Sequence, residues 1–178
     1  MINLPSQLSS VPDVGEVVGA GISSGTSCDG IDVAIVKFCW NKEFYKVEES
    51  CFSCVDYPQE IRRQLLDISA GKAVAALEIA ELEQKLSICF ADAIVDLIKK
   101  CEIEPEYVVT HGQTVAHAGS GGTMQLGNPA LIANKTGLWT IGDLRFADIA
   151  AGGEGAPILP ICDLLLRSAS ESRIILNL

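Results

Sequence analysis

A polar segment between two apolar runs places the strongest constraint on the fold of this 178-residue chain. Residues 16–22 (EVVGAGI) and 32–40 (DVAIVKFCW) are rich in residues that favour strands, and the segment SSGTSCDGID at 23–32 joins them. Two strands with so short a connection pair antiparallel. The second run is apolar on both alternating faces, so the sequence predicts a hairpin whose second strand lies inside a sheet.

The rest of the chain alternates between strand and helix periodicities. A third strand is expected at 43–55, which completes a meander, and helices are expected at 58–71 and 72–100. In the longer helix, apolar residues three or four apart form a stripe that should pack on the sheet, namely Leu82, Leu86, Cys89, Ala93 and Leu97. Strands followed by alternating helices and strands indicate an α/β domain around a mixed sheet.

The region after residue 105 predicts shorter elements. A strand starting at residue 106 is expected to run into a polar turn within HGQTVAH, and AGSGGT to form a flexible connector. The remaining expectations are a strand at 123–127, a helix at 128–137 capped by Asn128 and closed by Gly137, a strand at 138–144, a loop at 145–157, a helix at 159–168 and a strand at 172–178.

Composition excludes several classes of function. The formal net charge is −10 and the basic residues form no patch, so nucleic acid is not an expected partner. The sequence has neither a run of about 18 apolar residues nor a leader pattern at its start, so no membrane segment and a cytoplasmic location are expected.

The seven cysteines form an odd set without regular spacing, which favours reduced thiols over a disulfide framework. Cys51 and Cys54 have the spacing of a redox motif. They lie in a strand-like segment without a second cysteine pair, so we interpret them as structural rather than as redox-active or zinc-binding residues.

Three polar clusters follow predicted strands, where α/β folds place ligands. In the first, 23–32, glycines permit close approach of a ligand, and Ser24, Thr26 and Ser27 offer hydroxyls and amides to phosphate oxygens. Asp29 or Asp32 is suited to holding Mg²⁺ through water. The lysine of a P-loop is missing, and from spacing alone a plain hairpin turn remains an equal alternative.

The other two clusters hold the histidines and an arginine. His111 is a candidate for hydrogen bonding to a ligand, whereas His117 is more simply a structural histidine. Asp143, Arg145 and Asp148 form the third cluster. Arg145 is suited either to an internal ion pair with an aspartate or to bidentate binding of a substrate carboxylate.

Taken in order, SSGTSCDGID, HGQTVAH, MQLGNPALIANKTG and GDLRFADIAAGGEGAPILP resemble the successive motifs of the anhydro-N-acetylmuramic acid kinase family. The resemblance runs from about residue 17 to the last residue. It implies the actin/hexokinase/Hsp70-like (ribonuclease H-like) ATPase fold and a kinase that uses ATP and Mg²⁺. The reaction would open the 1,6-anhydro ring of anhydro-N-acetylmuramic acid and phosphorylate O6, giving N-acetylmuramic acid 6-phosphate in cell-wall sugar recycling.

The resemblance also assigns candidate site residues. The ATP loop would consist of Gly25, Thr26, Ser27, Cys28, Asp29, Gly30, Ile31 and Asp32, with Asp29 near the metal. Thr114 and Arg145 match positions that contact the anhydro-sugar, and Arg145 suits its lactyl carboxylate. His111, Gln113 and Asp143 complete the expected amino-sugar site. Cys28 replaces a residue that is commonly aliphatic in the family, and we interpret it as a small buried side chain.

The same resemblance implies an incomplete enzyme. Residues 1–15 are expected to be an N-terminal extension, and residues 16–178 the first lobe of a two-lobe sugar kinase. The second lobe, with its general-base aspartate and adenosine site, is expected to be missing, and with it activity of the isolated chain. The alternatives are a truncated or degenerate non-catalytic homologue and another sugar kinase of the superfamily. For the complete enzyme the resemblance allows a homodimer.

Overall fold

A computed structural model describes residues 15–40, 45–119, 121–160 and 162–163, without the side chains of Tyr45 and Glu49. Its elements, in chain order, are β1 (Gly15–Ser24), β2 (Ile31–Trp40), β3 (Tyr45–Val55), α1 (Gln59–Ser69), α2 (Ala76–Cys101), β4 (Tyr107–His117), β5 (Thr123–Leu126), α3 (Pro129–Thr136), β6 (Trp139–Ile141) and α4 (Leu144–Ala150). Within these ranges no helix is both long and apolar enough to cross a bilayer.

The strands form one six-stranded mixed sheet. β1, β2 and β3 pair antiparallel, which confirms the predicted meander. β4 runs parallel to β1, β6 runs parallel to β4, and the short β5 folds back against the second half of β4. The carboxyl ends of β1, β4 and β6 therefore point the same way, and the connections that follow β1 and β6 leave the sheet at the same edge.

The core lies between the sheet and the helices. α2 contacts β1, β2, β3 and β5 as well as α1 and α3. The predicted α2 stripe is buried at Leu82, Leu86, Ala93 and Leu97, and Cys89 is half-buried beside the core. Burying each of the three leucines contributes roughly 1.5–3 kcal/mol, so this stripe holds the long helix on the sheet.

α3 forms where local sequence signals predict it. The Asn128 side chain accepts hydrogen bonds from the amides of Ala130 and Leu131 at 2.9 and 3.3 Å, and Pro129 occupies the first turn. Gly137 ends the helix in the left-handed conformation at φ 74°. The cap and the stop lie within ten residues of each other, so local sequence signals are enough to predict both ends of this helix.

Two expectations for the carboxyl-terminal half are wrong. HGQTVAH continues β4 rather than forming a turn, with a bulge where the register to β1 shifts. The loop expected at 145–157 begins as α4, and the N-cap residue Asp143 makes no capping hydrogen bond with its side chain. The loop after α4 folds back onto the helix, where Asp148 accepts a hydrogen bond from the Gly155 amide at 2.8 Å. The helix is thus held by contacts beyond its own sequence.

The expectation of reduced thiols is wrong for one pair. Cys51 on β3 and Cys101 at the end of α2 form a disulfide, with their Cα atoms 6.4 Å apart. The two residues are 50 positions apart in sequence, and only the packing of α2 against β3 brings them together. Cys54 is a free thiol, so the CFSC segment is not paired within itself.

Two further expectations extend outside the described residues. The helix expected at 159–168 is described only at its start, where the Cys162 amide donates to the Leu159 carbonyl at 2.9 Å. The strand expected at 172–178 lies entirely outside, and of the extension expected at 1–15 only Gly15 is described, as the first residue of β1.

Candidate functional site

The three predicted clusters meet at one edge of the sheet. Ser24, the last residue of β1, pairs with Gln113 on β4, so the loop at 25–30 starts beside the HGQT segment. β6 ends opposite Val109, and Gly142 then packs closely against Thr110. Parallel strands deliver their following loops to the same edge, which is where open α/β sheets bind ligands.

The loop after β1 has a defined turn with an open tip. The Cys28 amide donates to the Gly25 carbonyl at 3.1 Å, and Cys28 itself is left-handed at φ 52°. Its side chain is fully buried, as expected for a small residue at this position. Gly25, Thr26 and Ser27 are exposed, and in the described part of the chain the Thr26 and Ser27 hydroxyls donate no hydrogen bond. These donors fit phosphate oxygens.

Two hydrogen bonds from outside the turn hold the loop. The Ser24 hydroxyl donates to the Gly30 carbonyl at 2.8 Å across the loop base. From α1, Arg62 Nε donates to the Cys28 carbonyl at 2.7 Å. The loop is therefore braced from β1 and from α1 while its tip stays accessible.

Two carboxylates flank this loop. Asp29 and Asp32 are both exposed, and Asp32 pairs with Cys54 across β2 and β3. A hydrogen bond from the Cys54 thiol to Asp32 is the main reason that the pKa of this thiol is raised. Within the described residues no three His, Cys, Asp or Glu side chains gather as a metal site. The arrangement fits a cation that arrives with phosphate and keeps most of its water.

His111 and Arg145 form the centre of the second cluster. Arg145 Nε donates to His111 Nε2 at 3.0 Å, and Arg145 Nη1 donates to the Gly155 carbonyl at 2.8 Å. Because guanidinium only donates, Nε2 is the acceptor, and His111 Nδ1 carries the proton that it donates to the Gly112 carbonyl at 3.0 Å. Burial and the positive charge of Arg145 lower the pKa of His111.

The surroundings of this pair bear on the two interpretations of Arg145. Within the described residues Arg145 makes no ion pair with an aspartate. Two fixed hydrogen bonds orient the guanidinium, and its Nη2 group has no partner there. His111 uses both ring nitrogens inside the protein, so in this conformation it orients Arg145 and has no ring nitrogen free for a ligand.

Gln113 belongs to a buried polar cluster that connects the two sites. Its side chain is fully buried; Oε1 accepts from the Tyr57 hydroxyl at 3.2 Å and Nε2 donates to the Thr114 carbonyl at 3.2 Å. Burial is the main cause of the raised pKa of Tyr57, and the nearby Ser24 hydroxyl opposes that rise. Gln113 therefore braces the strand against the loop base, and its predicted contact with a sugar stays a prediction.

Thr114 and Asp143 lie nearer the surface. Thr114 is half-buried, and its hydroxyl accepts from Gln125 Nε2 at 3.4 Å. Asp143 is exposed at the start of α4. The neighbouring Glu83 on α2 accepts from the Gly127 amide at 2.7 Å; burial is the main cause of its raised pKa, and the charge of Asp143 adds to it.

Sequence reasoning missed Tyr57, Arg62 and Glu83. Arg62 and Glu83 lie on helices that periodicity explains completely as packing elements, and Tyr57 lies just before the first of them. The Tyr-Pro pair at the start of α1 marks a helix start but not a link to β4. These residues reach the site only because α1 and α2 pack beside the ends of β1 and β4.

The strand order β3-β2-β1-β4-β6, antiparallel for three strands and then parallel, defines the class of protein. With a hydroxyl-rich loop after β1, this is a lobe of the actin/hexokinase/Hsp70-like, ribonuclease H-like fold, and the expected fold class is confirmed. The sequence profile of the anhydro-N-acetylmuramic acid kinase family matches residues 18–178. The chain belongs to this family.

Curated relatives agree with the family assignment. The chain is 38% identical over 170 residues to an anhydro-N-acetylmuramic acid kinase of Gloeobacter violaceus, which covers 90% of this chain and 45% of the relative. It is 39% identical over 185 residues to an anhydro-N-acetylmuramic acid kinase of Trichormus variabilis, and this match covers 97% of the chain and 46% of the relative. A relative from Caldanaerobacter subterraneus is 34% identical over 171 residues. The chain thus spans less than half the length of these relatives.

Proposed function

We propose that this chain forms the first lobe of an ATP-dependent kinase that acts on 1,6-anhydro-N-acetylmuramic acid and yields N-acetylmuramic acid 6-phosphate. The observation that carries the proposal is the meeting of the 25–30 loop and the His111–Arg145 pair at one edge of the sheet. Phosphoryl transfer depends mainly on positioning and charge stabilisation, and one edge that offers both phosphate donors and a carboxylate-binding cation supports this reaction.

The sugar side of the site rests on Arg145. A muramic acid carries a lactyl carboxylate, and a guanidinium held rigidly by His111 and Gly155 loses little side-chain entropy on binding it. Thr114 and Asp143 provide groups for sugar hydroxyls nearby. His111 acts as a positioning residue for Arg145 in this proposal.

The nucleotide side rests on the loop. Thr26 and Ser27 would hold phosphate oxygens, and Asp29 would contact the hydrated Mg²⁺. When bound, ATP with Mg²⁺ supplies the phosphoryl group and neutralises part of its charge. As the resemblance implies, an aspartate of a second lobe would act as the general base for the attacking water. We assign the enzyme to the cytoplasm and its reaction to cell-wall sugar recycling.

The test of the sugar site uses two ligands that differ in one group. The full chain is titrated calorimetrically with 1,6-anhydro-N-acetylmuramic acid and with 1,6-anhydro-N-acetylglucosamine, which lacks the lactyl carboxylate. We expect tighter binding of the muramic acid, and we expect Arg145→Gln to abolish that preference. Arg63→Gln, an exposed arginine on α1, is the matched control and should keep it.

The results separate the alternatives. If neither sugar binds to the chain alone or to its mixture with the carboxyl-terminal part of the Gloeobacter violaceus relative, the chain acts as a non-catalytic homologue and the proposal fails. If Arg145→Gln weakens both sugars equally, Arg145 does not bind the carboxylate. Transfer of phosphate is then assayed with the chain alone and with the carboxyl-terminal part of the Gloeobacter violaceus relative added, and we expect turnover only in the mixture. Turnover of other sugars instead would assign the chain to a different sugar kinase.

A further inference from the structure

Arg62 is the starting point for an inference that rests on the proposed function and extends it. Arg62 lies in the first turn of α1, 34 residues after Cys28, and donates its Nε proton to the Cys28 carbonyl at 2.7 Å. Cys28 is the left-handed residue that closes the loop turn. The guanidinium therefore lies directly against the loop that the proposal assigns to phosphate.

The hydrogen bond uses only one of the five N–H groups of Arg62. The side chain is exposed, and in the described part of the chain its Nη1 and Nη2 groups have no hydrogen-bond or ion-pair partner. The Nε bond fixes one side of the planar guanidinium and leaves its outer edge open. Two parallel N–H groups on that edge match two oxygens of one phosphate.

The charges around the loop favour a cation in addition to Mg²⁺. Three carboxylates, Asp29, Asp32 and Asp56, lie near enough to raise the pKa of the Cys54 thiol together. A polyphosphate that approaches them is repelled unless a positive charge compensates. The loop contains no lysine or arginine of its own. Arg62 is near enough for its charge to oppose the burial-driven rise in the pKa of Cys28.

We propose that Arg62 is a phosphate-binding residue of the nucleotide site, with Nε fixed on the Cys28 carbonyl and Nη1 and Nη2 on phosphate oxygens. It would supply from a neighbouring helix the charge that a P-loop takes from its own lysine. The ligand class is a nucleoside polyphosphate, and recognition by Arg62 is confined to its phosphates.

The test measures phosphate binding without the nucleoside. The full chain is titrated calorimetrically with inorganic tripolyphosphate as wild type, Arg62→Gln and Arg63→Gln. Arg63 is the adjacent exposed arginine, and it lines the groove between α1 and α2 together with Lys72, away from the loop. We expect Arg62→Gln to weaken tripolyphosphate binding about tenfold or more, with a smaller salt dependence, and Arg63→Gln to leave it unchanged.

A second measurement separates binding from support of the loop. Cys28 is fully buried beneath the turn, so its rate of alkylation reports whether the loop has loosened. Weaker tripolyphosphate binding with unchanged Cys28 alkylation supports a direct contact. Weaker binding together with faster Cys28 alkylation means that Arg62 only supports the loop, and this overturns the proposal.

The remaining outcomes distinguish this inference from the proposed function. If Arg62→Gln binds tripolyphosphate as tightly as wild type does, the role of Arg62 is overturned and the loop remains a phosphate site. If wild-type protein does not bind tripolyphosphate at millimolar concentration, both Arg62 and the loop lose their assigned roles. The sugar titration with Arg145→Gln is independent of both results.

Discussion

At the scale of single residues, His111 illustrates how a polar side chain is given one protonation state. Its Nδ1 donates to the Gly112 carbonyl and its Nε2 accepts from Arg145, so only the neutral ring satisfies both partners. A second proton on the ring would be on Nε2, where it would point at the Arg145 guanidinium. Arg145 is therefore oriented by the neutral form of His111.

We expect His111 to make folding stability depend on pH near the ordinary histidine pKa of about 6.5. Its pKa is lowered in the folded protein, so the unfolded chain binds more protons in this range. The contribution of neutral His111 to the free energy of unfolding is complete above about pH 6.5, and it is lost as the pH falls towards the lowered pKa of the folded protein. Because part of the ring faces solvent, we expect the loss to reach up to about 1 kcal/mol.

The measurement compares urea unfolding at about pH 7.5 and about pH 5.5 for wild type, His111→Gln and His117→Gln. His117 is exposed at the end of β4 and serves as the control. Wild type and His117→Gln should lose the same free energy of unfolding on acidification, and His111→Gln should lose less. An equal loss in all three proteins would contradict the assignment.

At the scale of elements, the bulge in β4 determines what the HGQT motif presents. The register to β1 shifts between Ile22 and Ser23, opposite Thr110 and Gly112. Before the bulge the even-numbered residues Val108 and Thr110 are buried, and after it the odd-numbered residues Gln113 and Val115 are buried. The bulge turns Gln113 into the core and leaves Thr114 half-buried, so one inserted residue sets the face of every side chain that follows.

We expect Gly112→Ala to destabilise the protein by about 2 kcal/mol or more. Gly112 has φ 69°, and a Cβ atom there would lie 2.7 Å from the Leu126 carbonyl oxygen on β5. Gly71→Ala is the control, because Gly71 has φ 82° with open space around it and should cost about 1 kcal/mol for conformation alone. Equal losses in urea unfolding would show that β5 does not press against the bulge.

At the scale of the whole molecule, the Cys51–Cys101 disulfide ties the outer strand of the meander to the end of the longest helix. Most contacts of α2 with the sheet are apolar and non-directional. A covalent link across 50 residues restricts the unfolded chain, and the loop-entropy relation gives about 4 kcal/mol for a loop of this length.

We expect the unreduced protein, unfolded in denaturant, to alkylate at five of its seven cysteines. Reduction should then lower the free energy of unfolding by about 3–4 kcal/mol. The variant Cys51→Ser should behave like the reduced protein, whereas Cys39→Ser, on β2, should behave like wild type. Alkylation of all seven cysteines in the unreduced protein would rule the bond out. Intact mass spectrometry and urea unfolding provide both measurements.

Elements whose signals are contiguous in the chain were predictable from sequence. The β1–β2 hairpin, the stripe of α2 and the caps of α3 depend on residues within one or a few turns, so periodicity and capping suffice. The motifs in order also identified the family, because each motif is local. The motifs thereby predicted the 25–30 loop and Arg145 as candidate site residues. They did not predict the hydrogen-bond partners of these residues.

Tertiary structure alone decided the features that depend on distant residues. The bulge in β4, the folding of α4 against its own following loop, the Cys51–Cys101 bond and the contact of Arg62 with Cys28 each join residues that local rules treat as independent. The sequence by itself determined the β1–β2–β3 meander and the helices α1, α2 and α3, since the signals for these elements are local. Which side chains meet at the site depends on how the helices and the bulged strand pack, because hydrogen bonds and charges act over a few ångströms in space, whatever the separation along the chain.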